Sequence, residues 1–137
     1  MILKETACES RLISIVDDDA SVRSSTRRLL RSSGLRAEAF ASAEEFLESN
    51  QLGQTACLLL DVRMPGMDGL VLQRRLAEIG RKIPIIFLSA RASQEEENRA
   101  CRAGAVEFLR KPVSKEALLR AIHCVFESQT NNVSKEL

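Results

Sequence analysis

Apolar positions along the chain fall into short compact runs separated by longer stretches with a helical repeat. Five runs have strand character: residues 12–16, 36–40, 56–60, 83–88 and 106–109. The third and fourth read ACLLL and IPIIFL, apolar without alternation, as strands buried on both faces do. Between the runs, Val22, Thr26, Leu29 and Leu30 recur at helical spacing ahead of Gly34, a helix stop. Asp68 is placed to cap a helix whose apolar face would be Leu72, Leu76 and Ile79, and Leu118, Ala121, Ile122 and Val125 repeat in the same way near the end. Ser42 with Glu45, and Ser93 with Glu96, fit a capping box and mark two further helix starts. Five alternations of strand and helix with short connections predict an α/β fold, a five-stranded parallel sheet with helices on both faces.

Composition agrees with a single domain and narrows its chemistry. At 137 residues the chain has room for one sizeable core, and its 45% apolar residues with five Phe and no Trp or Tyr make that core aliphatic. The domain is expected over residues 11–126, after an N-terminal extension of 1–10. From Glu127 the sequence ESQTNNVSKEL loses its apolar repeat and reads as a frayed tail or the start of a linker. Twenty Lys and Arg nearly cancel nineteen Asp and Glu, so no overall positive field favours direct nucleic-acid binding. Cys8, Cys57, Cys101 and Cys124 form no CxxC pair, which signals neither zinc nor a redox motif. The first residues, MILKETACESRL, lack the apolar stretch of a signal peptide, and no run reaches membrane-spanning length. A cytoplasmic protein with no membrane contact is the expectation.

In a parallel sheet of this kind the ligand crevice lies beyond the carboxyl ends of the strands. Strand one ends in Asp17-Asp18-Asp19, strand three in Asp61, strand four in Ser89 and strand five in Lys111-Pro112. Three of these carboxylates brought together would repel, and a hard divalent cation with oxygen preference would resolve the conflict. Asp18 and Asp61 suit direct coordination of Mg²⁺, with Asp17 acting through water. An aspartate is also a nucleophile toward phosphorus, and phosphoryl transfer asks chiefly for positioning and charge neutralisation. Lys111 offers a compact cation and Ser89 a hydroxyl for a phosphoryl oxygen.

The segments ISIVDDD, LLLDVRMPGMDG, IIFLSA and FLRKP stand in the order and spacing of response-regulator receiver domains, and the resemblance covers residues 11–126. RAEAFASAEEFL and AGAVEFLRKP make it most similar to the FixJ-type branch, whose receivers are usually joined to a DNA-binding helix-turn-helix domain. The resemblance implies a flavodoxin-like three-layer sandwich with strand order 2-1-3-4-5. It implies Asp61 as phosphoacceptor from a sensor histidine kinase, and Mg²⁺ or Mn²⁺ held by Asp18, Asp61, the Arg63 backbone carbonyl and, through water, Asp17. Lys111, Ser89 and Ala90 correspond to phosphate-binding positions, Ser89 and Phe108 to the switch pair, and Lys111-Pro112 to a candidate cis peptide. The implied output is a changed face of fourth helix, fifth strand and fifth helix, which favours a homodimer or partner contact and transcription regulation. The fourth helix, with a thin apolar stripe of Ala100 and Cys101, reads as weakly anchored.

Plainer readings compete at several positions. The aspartate triple could cap the next helix, as Asp19 is expected to, Asp61 could form a turn, and Lys111 could be a surface lysine. Their joint occurrence at matching strand ends favours the site. Phe108 remains open between core residue and switch. His123 and the arginines 27, 28, 31, 74 and 75 read as solvated. Arg63 and Arg91, two residues beyond Asp61 and Ser89, are candidates for tuning phosphoryl lifetime, and Ala90-Arg91 departs from the Gly-His common in FixJ-type receivers. A receiver-like interaction module without phosphorylation is the alternative. A phosphohydrolase is disfavoured because Arg63 stands where its second acidic residue would be.

Overall fold

The computed structural model describes residues 11–136, with side chains through Gln129. The N-terminal extension expected at 1–10 lies outside the described residues. In chain order the elements are β1 (Leu12–Val16), α1 (Ala20–Ser32), β2 (Arg36–Phe40), α2 (Ala43–Glu48), a single 3-10 turn (Leu52–Gln54), β3 (Thr55–Leu60), α3 (Gly69–Glu78), β4 (Ile85–Ser89), α4 (Gln94–Arg102), β5 (Glu107–Arg110) and α5 (Lys115–Glu136). All neighbouring strands pair in parallel, in the order β2-β1-β3-β4-β5. The chain therefore switches direction across the sheet at β1 and β3, which opens a crevice at their carboxyl ends.

The unalternating run of β3 is explained by its two faces. Leu58 and Leu60 enter a core with Phe46, Leu72, Leu76 and Phe87 under α2, α3 and α4. Cys57 and Leu59 enter the opposite core with Ile13, Leu30, Ile122 and Val125 under α1 and α5. A strand covered on both sides has no solvent face on which a polar residue could sit.

Local chemistry sets most boundaries. Asp19 caps α1 by accepting from the Ser21 and Val22 amides, and Asp68 caps α3 through the Val71 amide. Ser93 and Glu96 form a complete reciprocal box at α4. At α2 only half of the expected box forms: Ser42 accepts from the Glu45 amide, whereas Glu45 reaches back one residue further, to the Ala41 amide. β4 starts at Ile85, two residues later than the apolar run, because Pro84 has no N–H for the ladder.

Two apolar expectations are corrected. Ile79 is 49% exposed and sits at the C-cap of α3, not on its buried face. Gly80, at φ +76°, turns the chain there, and the Arg81 amide closes the helix onto the Leu76 carbonyl. Cys101 is exposed, so Ala100 alone anchors α4 through buried apolar contact. The chain beyond Phe126 stays helical as far as Glu136, because extending a formed helix needs no new nucleus. Gln129 holds part of this extension by donating to the Ala56 carbonyl at 3.2 Å. Among the described residues no helix is long and apolar enough to cross a membrane.

Candidate functional site

Backbone hydrogen bonds one residue past the strand ends hold the polar residues in place. The Asp17 amide donates to Phe40 O at 3.2 Å, Asp61 to Val16 O at 3.1 Å, and Lys111 to Ser89 O at 3.0 Å. Sheet pairing thus continues just far enough to converge Asp17, Asp18, Asp61, Ser89 and Lys111 on one cavity of about 390 Å³. Carboxylate oxygens of Asp17, Asp18 and Asp61 all lie within 4.8 Å of one another. Asp17 and Asp61 are buried and Asp18 is exposed.

Lys111 donates to Asp17 Oδ2 at 2.7 Å and stands 3.8 Å from Asp61 Oδ2. Asp61 is the less compensated of the two. Its carboxyl is pushed up to about 6, first by burial and then by the charge of Asp17, with Asp18 adding to the rise. Lys111 and the Arg63 amide offset only part of this. Three hard oxygen donors, a shortfall of positive charge and an open side at Asp18 match what a divalent cation requires. Ser89 Oγ is fully buried and has no hydrogen-bond partner among the described residues, an arrangement that costs free energy unless an acceptor arrives. A cluster that lacks positive charge, beside a hydroxyl with nothing to bond, is suited to an anionic group arriving together with a cation.

A model of the response regulator receiver domain matches residues 13–123. The chain belongs to this family. It is 49% identical over 116 residues to the response regulator protein TmoT of Ectopseudomonas mendocina, covering 83% of this chain and 52% of that protein. It is 35% identical to the transcriptional regulatory protein FixJ of Azorhizobium caulinodans, covering 83% and 54%. A crystal structure of a receiver protein from Pseudomonas putida superposes with a TM-score of 0.77 at 31% identity, covering 82% of this chain and 95% of that one. The receiver spans about half the length of the curated relatives it matches.

Other residues of the receiver are arranged around the acidic cluster. Ala90 and Arg91 are exposed at the cavity margin beside Ser89. Phe108 is half-buried and stacks on Phe87 with ring centroids 5.6 Å apart. The Arg110 guanidinium lies over the Phe108 ring, 5.4 Å from its centroid. The Lys111-Pro112 peptide is cis. Arg63 lines the cavity, but its guanidinium pairs with Glu96 of α4 at 3.0 Å. His123 is exposed and pairs with Glu127, and Arg27 and Arg31 share Glu38 at partly exposed positions.

Gly69, the last residue of the LLLDVRMPGMDG segment, has no side chain to signal a part in the site. A Cβ there would lie 2.2 Å from the Asp61 carbonyl oxygen and 3.1 Å from the Phe87 ring. Only glycine lets the start of α3 approach the loop that carries Asp61, and its amide donates to Val62 O at 2.9 Å. Arg110 was missed as well. It donates to the Ala92 carbonyl and pairs with Glu97 at 2.7 Å. Its position immediately before Lys111 was the available clue.

Proposed function

We propose that Asp61 accepts a phosphoryl group from a phosphohistidine of a sensor histidine kinase and that this charge switches the domain. The observation that carries the reading is a buried, under-neutralised Asp61 in one cavity with Lys111 and the unpartnered Ser89 hydroxyl. An Asp61 carboxylate oxygen attacks phosphorus, the new P–O bond forms, and the P–N bond breaks with its electron pair leaving on the imidazole nitrogen. Lys111, within 4 Å of Asp61, follows the growing negative charge, and Ser89 Oγ donates to a phosphoryl oxygen. Ala90 offers its backbone at the cavity margin.

Asp18, Asp61 and the Arg63 carbonyl would hold Mg²⁺ or Mn²⁺, with Asp17 acting through water, and the bound ion supplies the missing positive charge. As Ser89 turns toward phosphate, Phe108 fills the space it leaves, and the face of α4, β5 and α5 changes shape. That face then favours a homodimer or an output partner, in keeping with relatives that regulate transcription. Arg91 at the cavity edge sets phosphoryl lifetime by obstructing or ordering the attacking water.

The domain is a phosphoacceptor that promotes its own phosphorylation and dephosphorylation, not an enzyme that turns over a separate substrate. We take residues 11–126 as the receiver unit, acting in the cytoplasm, with 127–137 leading toward a DNA-binding output region where one is present. Acetyl phosphate with Mg²⁺ should add one phosphoryl group by intact-mass measurement, and Asp61→Asn should abolish the gain. No adduct on the unaltered protein would favour the interaction-module alternative.

A further inference from the structure

Helix α4 carries Gln94 to Arg102 and buries only Ala100 of its side chains, so polar contacts must hold it. Gln73 of α3, itself buried, donates to Ala100 O at 3.0 Å and fixes the C-terminal half. Two arginines hold the N-terminal half through adjacent glutamates. Arg110 of β5 takes Glu97 at 2.7 Å and the Ala92 carbonyl, and Arg63 takes Glu96 at 3.0 Å. These arginines are not placed at random with respect to the acidic cavity. Arg110 immediately precedes Lys111, and Arg63 follows Asp61 by two residues.

Glu96 is the third residue of the helix and closes the capping box. Its Oε1 accepts from the Ser93 amide at 2.9 Å and from Arg63 at the same time. Arg63 therefore holds the Glu96 side chain in the conformation that closes the cap. Arg63 itself lines two adjoining spaces, the 390 Å³ cavity of Asp61 and a 370 Å³ pocket shared with Asp68 and Glu96. Its side chain is 57% exposed, so the pair with Glu96 is a solvated one whose hold is weak and easily outcompeted.

We infer that Arg63 is a positioning residue shared between two anions, Glu96 when Asp61 is unmodified and the phosphoryl group once Asp61 carries one, so that charging Asp61 opens the cap of α4. The inference rests on Asp61 being the phosphoacceptor. A dianionic group a few residues away outcompetes a single carboxylate for a guanidinium, which forms its strongest hydrogen bonds to such oxygens. With Arg63 withdrawn, Glu96 loses its second contact and the Ser93 cap closes less often. Arg110 stays on Glu97, so the helix loosens at its start without leaving the sheet. The signal reaches α4 through one side chain that two anions compete for.

The test uses the whole chain with Mg²⁺ and beryllofluoride as the phosphoryl mimic, loading followed by ¹⁹F NMR and amide hydrogen exchange read at Glu96 and Glu97. Those amides are held by the Ser93 hydroxyl and carbonyl. Loading should speed their exchange about fivefold, equivalent to ~1 kcal/mol, the upper range for an exposed charge pair. In Glu96→Gln exchange should already be fast, and loading should add less than about twofold, since there is no charge pair left to break. Arg63→Gln should behave in the same way. Arg110→Gln also weakens α4, yet it should retain the full response to loading, which separates coupling from general loosening. A loaded protein with unchanged exchange overturns the inference, as does a full response in Glu96→Gln. Failure of the unaltered chain to load at all overturns the phosphoacceptor reading first, and this inference with it.

Discussion

Removing the charge of Asp61 should stabilise the metal-free protein at neutral pH and leave it unchanged in acid. The carboxyl of Asp61 rises from 3.8 to about 6 because burial and the Asp17 charge outweigh the pull of Lys111. The folded state therefore holds this proton more tightly than the unfolded chain. Below pH 3.8 both states keep the proton and there is no penalty. Between 3.8 and about 6 the unfolded chain releases it first, so stability falls as pH rises, and above about 6 the loss is complete. At ~1.4 kcal/mol per tenfold change in affinity, the penalty is at most about 3 kcal/mol, and solvent reaching the open side of the cavity lowers it. Asp61→Asn, which keeps the shape and discards the charge, should recover most of it. Urea unfolding in the presence of a chelator, followed by circular dichroism at pH 4 and pH 7.5, provides the measurement. The variant's midpoint should lie above that of the unaltered protein at pH 7.5, and the difference should nearly vanish at pH 4. An equal difference at both values, or a less stable variant at pH 7.5, would refute the electrostatic reasoning. Adding Mg²⁺ should raise the midpoint of the unaltered protein much more than that of Asp61→Asn.

Ser89→Ala should leave stability unchanged or raise it by up to ~1 kcal/mol, because the buried hydroxyl has no partner to lose. A drop of that size in urea unfolding would mean that the hydroxyl is satisfied in the resting protein. Gly69→Ala should cost about 3 kcal/mol, the upper end for overpacking, since its Cβ meets the Asp61 carbonyl at 2.2 Å and either α3 or the Asp61 loop has to move. Thermal unfolding would give the cost, and amide shifts at Asp61 would show which side moves. Burial pushes the Cys57 thiol up to about 12 while Cys101 and Cys124 are exposed. Iodoacetamide at pH 8 should therefore label the latter two in the folded protein and reach Cys57 only in denaturant, as peptide mass mapping would show.

The strands and helices were readable because each carries its own local cause. Unalternating apolar runs need cover on two faces, and Asp19, Asp68 and Ser93 cap the helices that follow them through groups two or three residues away. The set Asp17, Asp18, Asp61, Ser89 and Lys111 was readable for a topological reason. In a parallel sheet every strand ends on the same side, so residues far apart in the chain share one edge.

Features that depend on the distance between elements were not readable. Ile79 continues the apolar repeat of α3, yet the left-handed turn at Gly80 leaves it half in solvent. The polar residues after Phe126 carry no signal for helix, and only an existing α5 with Gln129 on the Ala56 carbonyl makes helix the outcome.

Fold class, the order of the elements and the kinds of side chain at the strand ends follow from periodicity, capping and strand direction, all of which are written along the chain. Packing between elements sets that Lys111 sits closer to Asp17 than to Asp61, that Gly69 leaves room for the Asp61 loop, and that Arg63 reaches across to Glu96. Each is a distance between side chains or backbones on different elements. Such distances are set when the layers pack against the sheet, a step that no local pattern in the chain encodes.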